Sequence, residues 1–220
     1  MDVRLKTMLS MMPPHDTLYD IGTDHAYLPI AAVQTKTVKK AYAVDNKKGP
    51  LTQAEKSIAQ AGLKGTVIPT LASGIDALNE DCDLITISGL GGNAIYDILK
   101  NGLFPNVKTM ILQANNHTEL LRKLTTIIPF KITDEQVVVQ KGETYIIIKL
   151  EGGREVLDET DLYIGPILRK NPPDPYKASL EAEHLFLEHL IQTIPDEKAK
   201  APLMKKRNLL EAIFNEWRNH

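Results

Sequence analysis

The chain has 220 residues, a formal net charge of −2 and one cysteine, Cys82. Its hydrophobic fraction of 43% and charged fraction of 25% are typical of an ordinary soluble protein with one substantial domain and an appendage. One cysteine excludes an intramolecular disulfide, and the near-neutral charge means that any RNA would have to be held by a local basic patch. We expect a cytoplasmic protein, because a single cysteine fits a reducing compartment, and we expect no membrane span, because no apolar run approaches the length of one.

Strand-like and helical segments alternate along the first part of the chain. A short amphipathic helix over 2–11 precedes the first strand. The predicted strands cover 17–21, 39–45, 66–71, 83–88 and 108–113, and the predicted helices and helical turns cover 26–35, 48–60, 75–78, 93–101 and 118–126. This alternation predicts a parallel sheet with helices on both faces. Two further β-rich runs, 130–140 and 143–150, predict a hairpin that adds an antiparallel edge and makes the sheet mixed.

A different pattern begins near residue 156. Apolar residues recur every seven positions in two runs, which are Leu180, Leu187 and Ile194, and then Leu203, Leu210 and Trp217. This period predicts an antiparallel helical hairpin with a coiled-coil seam. We therefore predict two domains, an α/β domain over 1–155 and a helical coiled-coil domain over 156–220. We expect a monomer and leave a dimer open.

The turn after the first strand, within residues 19–29, is the stretch around which the chain is organised. Ligands of parallel sheets bind where strands end and helices begin, and Gly22 allows the backbone to approach one closely. Asp20 and Asp24 would repel a pyrophosphate but suit a ligand with cations and hydroxyls, which favours S-adenosylmethionine as the cofactor. The candidate cofactor residues in this turn are Asp20, Gly22, Thr23, Asp24 and His25.

Asp45 ends the second predicted strand, 23 positions after Gly22. Nucleotide-binding sheets place an acid here to accept hydrogen bonds from ribose hydroxyls, and Asn46 would lie beside it. The alternative is an acidic residue in a surface loop. A dinucleotide is disfavoured because the second and third glycines of its fingerprint are missing after Gly22.

Two polar turns follow the fourth and fifth predicted strands. Ser88-Gly89-Leu90-Gly91-Gly92 keeps side chains away from a cleft, so we assign Gly89 and Leu90 to the cofactor and Gly91 and Gly92 to a flat substrate ring. A tight turn without a ligand is the alternative. Gln113 and Asn115 carry amides that can pair with the edge of a base, and an asparagine helix cap without a ligand is the alternative.

The remaining charged and metal-ligating residues give weaker signals. The six histidines show no metal-ligand spacing with the cysteine or the acids, so we expect no metal. Lys205, Lys206 and Arg207 form the densest cationic run of the second domain. We assign them to the body of an RNA substrate, against the simpler alternative of a solvated helix face.

Three motifs carry a resemblance to a known family. Asp20-Ile21-Gly22-Thr23-Asp24-His25-Ala26-Tyr27-Leu28-Pro29, then Ala43-Val44-Asp45, then Ser88-Gly89-Leu90-Gly91-Gly92 resemble the bacterial tRNA adenine-22 N1-methyltransferase family. Asp134-Glu135 before the hairpin with Tyr145 and the helical tail are also similar, so that the resemblance covers essentially the whole chain. It implies a class I, Rossmann-like methyltransferase domain that uses S-adenosylmethionine, a C-terminal coiled-coil domain, and methylation of N1 of a tRNA adenine.

The chain departs from the family pattern at two turns. After the third strand the family often has an acid with glycine, whereas only Ser73 and Gly74 occupy that position here, near the expected adenine of the cofactor. After the fifth strand the family pattern resembles Gln-Pro-Asn, whereas this chain has Gln113-Ala114-Asn115. The amides are therefore present on a loop that lacks the stiffening proline.

The resemblance predicts that adenine N1 attacks the sulfonium methyl group. Asp24 is the candidate catalytic residue, because a carboxylate favours a transition state in which positive charge moves to the base; it could instead hold the ammonium of the cofactor. Tyr27 could stack on the base. Two rival functions stay open at this point, a methyltransferase for a small molecule or protein and a non-catalytic binding protein with a degenerate cofactor pocket.

Overall fold

A mixed sheet organises the N-terminal part of the protein, in a computed structural model that describes residues 1–78, 82–102 and 106–219. The sheet in these residues has seven strands in the order β3-β2-β1-β4-β5-β7-β6. The strands are β1 (His15–Ile21), β2 (Val38–Asp45), β3 (Val67–Leu71), β4 (Leu84–Leu90), β5 (Thr109–Ala114), β6 (Phe130–Gln140) and β7 (Glu143–Gly152). The first five are parallel, and β7 runs antiparallel to both β5 and β6. The predicted mixed sheet is therefore confirmed.

The strand order reverses at β1, which has β2 on one side and β4 on the other. The chain moves outward from β1 to β2 and β3, and then returns to place β4 next to β1. In open α/β sheets such a reversal separates the connections above two neighbouring strands and leaves a crevice at their carboxyl ends. The turns that follow β1, β2 and β4 all open at this edge.

Five helices and two short 3₁₀ turns accompany the sheet in the described residues. They are α1 (Val3–Met11), α2 (Tyr27–Gln34), α3 (Lys48–Gln60), α4 (Gly92–Leu99), α5 (Thr118–Lys123), and the 3₁₀ turns Gly74–Ala77 and Leu124–Thr126. Asp2 caps α1, because its side chain accepts a hydrogen bond from the backbone N–H of Leu5 at 3.0 Å. The predicted helix over 118–126 is divided into α5 and a 3₁₀ turn.

The hairpin of β6 and β7 extends beyond the carboxyl end of β5. Gln113, near the end of β5, pairs with Ile147, so the first four residues of β7 and the turn at Lys141 lie past the parallel strands. The N-terminus of α1 packs against this extension, where Gln140 Nε2 donates to Asp2 Oδ2 at 3.3 Å. The hairpin and α1 therefore form a wall beside the edge at which ligands are expected.

The chain divides into two compact units, Met1–Val156 and Leu157–His220. The second unit contains α6 (Glu159–Ile164), α7 (Pro166–Lys170), α8 (Asp174–Thr193) and α9 (Glu197–Arg218). The helices α8 and α9 pack against each other, and Leu180, Leu187, Leu210 and Ile213 are buried. Ile194, Leu203 and Trp217 of the predicted heptads are only half-buried, so the coiled-coil seam stays a prediction. No helix in the described part of the chain is both long and apolar enough to cross a membrane.

The sequence analysis missed α6 and α7. Both are short, and Gly165-Pro166 separates them with a positive φ of 104° at Gly165 and a proline at the start of α7. Asp158 and Asp161 form a capping box at the start of α6. Arg169 of α7 donates to Asp158, Asp161 and Glu216 at 2.8–3.1 Å, and these contacts tie the two helices to α9. Tertiary contacts of this kind are not visible in local periodicity.

Candidate functional site

The turn after β1 is held by the end of β2. The backbone N–H groups of Gly22 and Thr23 both donate to the carbonyl of Val44, at 2.8 and 2.9 Å. Gly22 has a φ of +80°, a conformation that favours glycine, and a Cβ there would lie 3.5 Å from the side chain of Leu90. The turn is therefore fixed between the ends of β2 and β4.

Asp20 is a buried carboxylate beneath this turn. It is 6% exposed, and Thr86 Oγ1 donates to its Oδ1 at 2.7 Å across the β1–β4 pair. Burial raises the pKa of Asp20 to about 6, while hydrogen bonds from Thr86 and Thr23 act in the opposite direction. Asp20 therefore connects the turn to β4 through its hydrogen bonds with Thr23 and Thr86.

Two cavities open at the carboxyl edge of the sheet and share Gly22 and Leu90. The β1 cavity has a volume of about 340 Å³, and its polar lining includes Arg4, Asp20, Thr23, Asp24, His25, Tyr27 and Ser88, together with Gly89. The β2 cavity has a volume of about 360 Å³ and is lined in part by Asp45, Asn46, Lys47, Ala72, Gly74 and Ile98. The shared residues join the two cavities into one cleft around the turn after β1.

Among the described residues that line the β2 cavity, Asp45 at the end of β2 is the one acid. Its Oδ1 accepts a hydrogen bond from the backbone N–H of Lys47 at 2.7 Å, which orients the carboxylate. Gly74 has a φ of +53°, and a Cβ at this position would lie 3.2 Å from Ile98. Ser73 lines neither cavity, so the lining role that we expected of the Ser73-Gly74 pair is placed on Gly74 alone.

Asp24, His25 and Tyr27 form the exposed rim of the β1 cavity. The side chain of Asp24 is 72% exposed, and its Oδ2 lies 3.4 Å from His25 Nε2. The rings of His25 and Tyr27 stack with their centroids 5.1 Å apart and their planes 9° from parallel. Tyr27 is half exposed, so one face of this stack is accessible to a planar ligand.

Gln113 and Asn115 are both bonded to the turn after β4. Gln113 Oε1 accepts from the backbone N–H of Gly89 at 3.2 Å, and Gln113 Nε2 donates to Asn115 Oδ1 at 3.3 Å. Asn115 Nδ2 in turn donates to the carbonyl of Gly89 at 2.7 Å. Gln113 is completely buried, so its position does not support the direct contact with a base that we expected. Asn115 is exposed and remains accessible.

Gly91 and Gly92 face the protein itself. A Cβ at Gly92 would lie 2.3 Å from the backbone oxygen of His117, and a Cβ at Gly91 would lie 3.1 Å from Asn116 Oδ1. The backbone N–H of Gly92 also donates to the carbonyl of Asn116 at 3.0 Å. The space that we expected for a substrate ring above these glycines is therefore occupied by the loop between β5 and α5, and neither glycine lines the two cavities.

Arg4 is a lining residue that the sequence analysis did not single out. It lies on α1, four positions before the buried Met8 and seven before the buried Met11, so all three share one face of the helix. A cation on the apolar face of a predicted amphipathic helix is the signal that could have revealed it. Arg4 Nη1 lies 3.4 Å from Gln113 Oε1, which links α1 to the end of β5.

The cationic run of the second unit is engaged within that unit. Lys205 forms an ion pair with Glu159, and Lys206 lies 5.6 Å from the centroid of the Tyr163 ring. Arg207 Nε lies 3.5 Å from Glu211. Exposed ion pairs of this kind are weak, so an anionic ligand could still compete for these side chains.

The sheet order, the cleft at the reversal of that order and the acid at the end of β2 define a Rossmann-like α/β domain with a cleft of the nucleotide-binding type. Comparison with known proteins gives the family. A family model described as tRNA (adenine(22)-N(1))-methyltransferase, TrmK, matches residues 18–215. The chain belongs to this family.

Relatives match over almost their full lengths. The tRNA (adenine(22)-N(1))-methyltransferase of Bacillus subtilis (strain 168) is 26% identical over 223 residues, which cover 96% of this chain and 94% of that protein. The structure of Streptococcus pneumoniae Sp1610 in complex with S-adenosyl-L-methionine is 31% identical, has a TM-score of 0.89, and the match covers 97% of this chain and 99% of that one. The structure of M. capricolum TrmK with S-adenosyl-homocysteine is 27% identical, with a TM-score of 0.90 and 98% coverage of both chains.

Proposed function

We propose that the protein transfers a methyl group from S-adenosylmethionine to N1 of adenine 22 in tRNA. The observation that carries this proposal is the two-part cleft at the reversal of strand order, in a chain that matches the tRNA (adenine(22)-N(1))-methyltransferase family over residues 18–215. The first part of the chain carries this cleft, and we assign residues 1–155 to the catalytic domain.

The residues of the cleft fit the chemical groups of this cofactor. In the β2 cavity, Asp45 would accept hydrogen bonds from the ribose hydroxyls, and Gly74 would leave room for the adenine ring. In the β1 cavity, Asp20 and Asp24 provide the negative potential that suits the ammonium and the sulfonium. When bound, S-adenosylmethionine would supply a methyl group on a cationic sulfur: a nitrogen lone pair can bond to the methyl carbon while the C–S bond breaks and S-adenosylhomocysteine leaves as a neutral thioether.

The rim of the β1 cavity suits a planar base that becomes positively charged. Tyr27 would stack on the target adenine, because its stacked partner His25 keeps the ring in place from the other side. Asp24 would stabilise the positive charge that develops on the adenine as N1 attacks. Asn115 would orient the edge of the base, while Gln113 would hold Asn115 and the turn at Gly89 in position.

The second domain, over 156–220, would bind the body of the tRNA. Lys205, Lys206 and Arg207 supply the cations for phosphate contacts once the substrate displaces their acidic partners. We propose a coiled-coil seam between α8 and α9, a monomeric protein and a cytoplasmic location, where unmodified tRNA would be available.

The test is label transfer from radiolabelled S-adenosylmethionine to two tRNA transcripts that differ at one nucleotide. We expect label in the transcript with adenine at position 22 and none in the transcript with guanine there. Equal labelling of both would place the reaction elsewhere in the tRNA. If calorimetry shows cofactor binding but neither transcript is labelled, the acceptor is a different class of molecule.

A further inference from the structure

Arg4 is the cation of the β1 cavity. Among the described residues that line this cavity, it is the only lysine or arginine, and the acids are Asp20 and Asp24, with the His25 ring beside Asp24. An anionic group of a ligand would be repelled by both carboxylates unless it reached the guanidinium of Arg4. The charge pattern therefore favours a ligand that is cationic on one side and anionic next to Arg4.

Three parts of the fold hold the Arg4 side chain in place. Its Nη2 lies 3.2 Å from Asp2 Oδ2, and its guanidinium carbon lies 4.7 Å from the centroid of the Tyr145 ring on β7. Its Nη1 makes a long contact of 3.4 Å to Gln113 Oε1, an acceptor that also serves the backbone of Gly89. An arginine fixed in this way loses little further freedom when it binds an anion.

The protein does not use all of the hydrogen-bonding capacity of Arg4. Its Nε is buried and has no partner, and its side chain is 23% exposed. Asp2 is shared, because its carboxylate also accepts from the Leu5 N–H and from Gln140. Burial would raise the pKa of Asp2, but these hydrogen bonds, together with the one from Arg4, lower it below its usual value. Arg4 therefore keeps N–H groups that can donate hydrogen bonds to a second carboxylate.

We propose that Arg4 binds the carboxylate of the methionyl part of the cofactor. The inference rests on the proposed function, which places the adenosine part in the β2 cavity and leaves the β1 cavity to the methionyl part. That part has one anionic group, and a guanidinium fork matches a carboxylate in both charge and shape. Arg4 then acts as a cofactor-binding residue supplied by α1, outside the sheet.

The experiment compares two ligands by calorimetry, so that it does not depend on turnover. The first is S-adenosylhomocysteine, and the second is its decarboxylated analogue, which lacks only the carboxylate. Arg4→Gln removes the cation with little change in volume, and Arg4→Lys keeps the charge without the fork. Lys6→Gln is the matched control, because it removes an exposed cation from the same helix.

We expect Arg4→Gln to weaken S-adenosylhomocysteine binding by roughly tenfold to a hundredfold, the usual loss for a hydrogen bond to a charged group. The analogue should bind wild type and Arg4→Gln equally, Arg4→Lys should lie between them for the first ligand, and Lys6→Gln should match wild type. An equal loss for both ligands would overturn the proposal, because Arg4 would then shape the cavity only. Unchanged binding of both ligands with loss of tRNA labelling would also overturn it and would place Arg4 on the tRNA.

The same measurements separate this inference from the proposed function. If wild type binds S-adenosylhomocysteine and labels tRNA but Arg4→Gln shows no ligand-specific loss, only the assignment of Arg4 fails. If wild type binds neither ligand, the proposed cofactor fails and the inference fails with it. Thermal unfolding of each variant shows whether any loss of binding reflects loss of folding.

Discussion

The floor and the rim of the β1 cavity both contain an acid, but the residues of the floor are buried and those of the rim are exposed. The floor, which we define as Asp20 of the cavity lining together with Thr86, Gln113 and Gly92 outside that lining, consists of buried or closely packed groups that bond to one another or to neighbouring backbone. The rim, defined as Asp24, His25 and Tyr27, is exposed and contacts mainly itself. Asp20 and Asp24 are four residues apart in one turn, yet one is 6% exposed and the other has a side chain that is 72% exposed. The difference predicts that substitutions in the floor will mainly change stability and that substitutions in the rim will mainly change the reaction.

The largest effect on the reaction is expected at the rim. Asp24→Ala should lower the rate of tRNA methylation roughly 100-fold, because a charge that stabilises the transition state is lost. The free energy of unfolding should change by less than about 0.5 kcal/mol, since Asp24 is exposed. Single-turnover label transfer and urea unfolding measure the two quantities, with Asp16→Ala as a control on an exposed acid of β1. A parallel loss of cofactor affinity would instead assign Asp24 to the ammonium of the cofactor.

The second prediction concerns the floor and its dependence on pH. Burial raises the pKa of Asp20 from 3.8 to about 6, so the folded protein binds this proton more tightly than the unfolded chain does. The contribution of Asp20 to stability is therefore full below pH 3.8, falls as the pH rises towards 6, and is constant above that, with a total change of about 3 kcal/mol. Urea unfolding across this range should show the fall in wild type and not in Asp20→Asn. Parallel curves for the two proteins would contradict the buried, proton-binding role.

Gly92 tests the packing of the floor. Gly92→Ala should lower the free energy of unfolding by about 1–3 kcal/mol, because the new methyl group would lie 2.3 Å from the backbone oxygen of His117. Gly49→Ala is the matched control, since Gly49 lies in α3 and a Cβ there meets nothing within 4 Å. That change should stabilise the protein by about 0.5–1 kcal/mol. Equal effects at the two glycines would show that the loop after β5 can move away from the new methyl group at little cost in free energy.

The smallest effect is expected from the aromatic part of the rim. Tyr27→Ala should raise the KM for tRNA about tenfold, because the stacking of one base on an aromatic ring is typically worth 1–3 kcal/mol. Tyr27→Phe keeps the ring and should behave as wild type, and the affinity for the cofactor should be the same in both variants. Steady-state labelling at several tRNA concentrations measures KM. An equally large effect of Tyr27→Phe would point to the hydroxyl group.

Much of the fold could be predicted because its signals are local. The strands of a parallel sheet are apolar runs, and the turns after β1, β2 and β4 carry glycines and acids at recognisable places. The mixed sheet followed from five alternating units and one hairpin. The helices α6 and α7 were missed because they are short and are stabilised by contacts of Arg169. One partner of Arg169, Glu216, lies 47 residues away in the sequence.

The candidate site was predictable by position but less so by orientation. Asp45 and the residues of the β1 turn lie in the two cavities, as their positions at strand ends indicate. Sequence alone could not show that Gln113 is buried against Gly89, or that the backbone of His117 fills the space above Gly92. Both facts depend on how neighbouring loops pack after the sheet has formed. Arg4 reaches the site from α1, far in sequence from the motifs that mark the strand ends.

The contacts of α1 also set an order for assembly during synthesis. Asp2 contacts Gln140, and Arg4 contacts Gln113 and Tyr145, so the partners of the first helix are translated more than a hundred residues later. At translation rates of roughly 5–20 residues per second, this delay is on the order of 10 s. The Arg4 side chain of α1 can therefore reach its final position only after the hairpin of β6 and β7 has been synthesised. A ribosome that stops before β7 therefore releases a chain whose cofactor cleft lacks one wall.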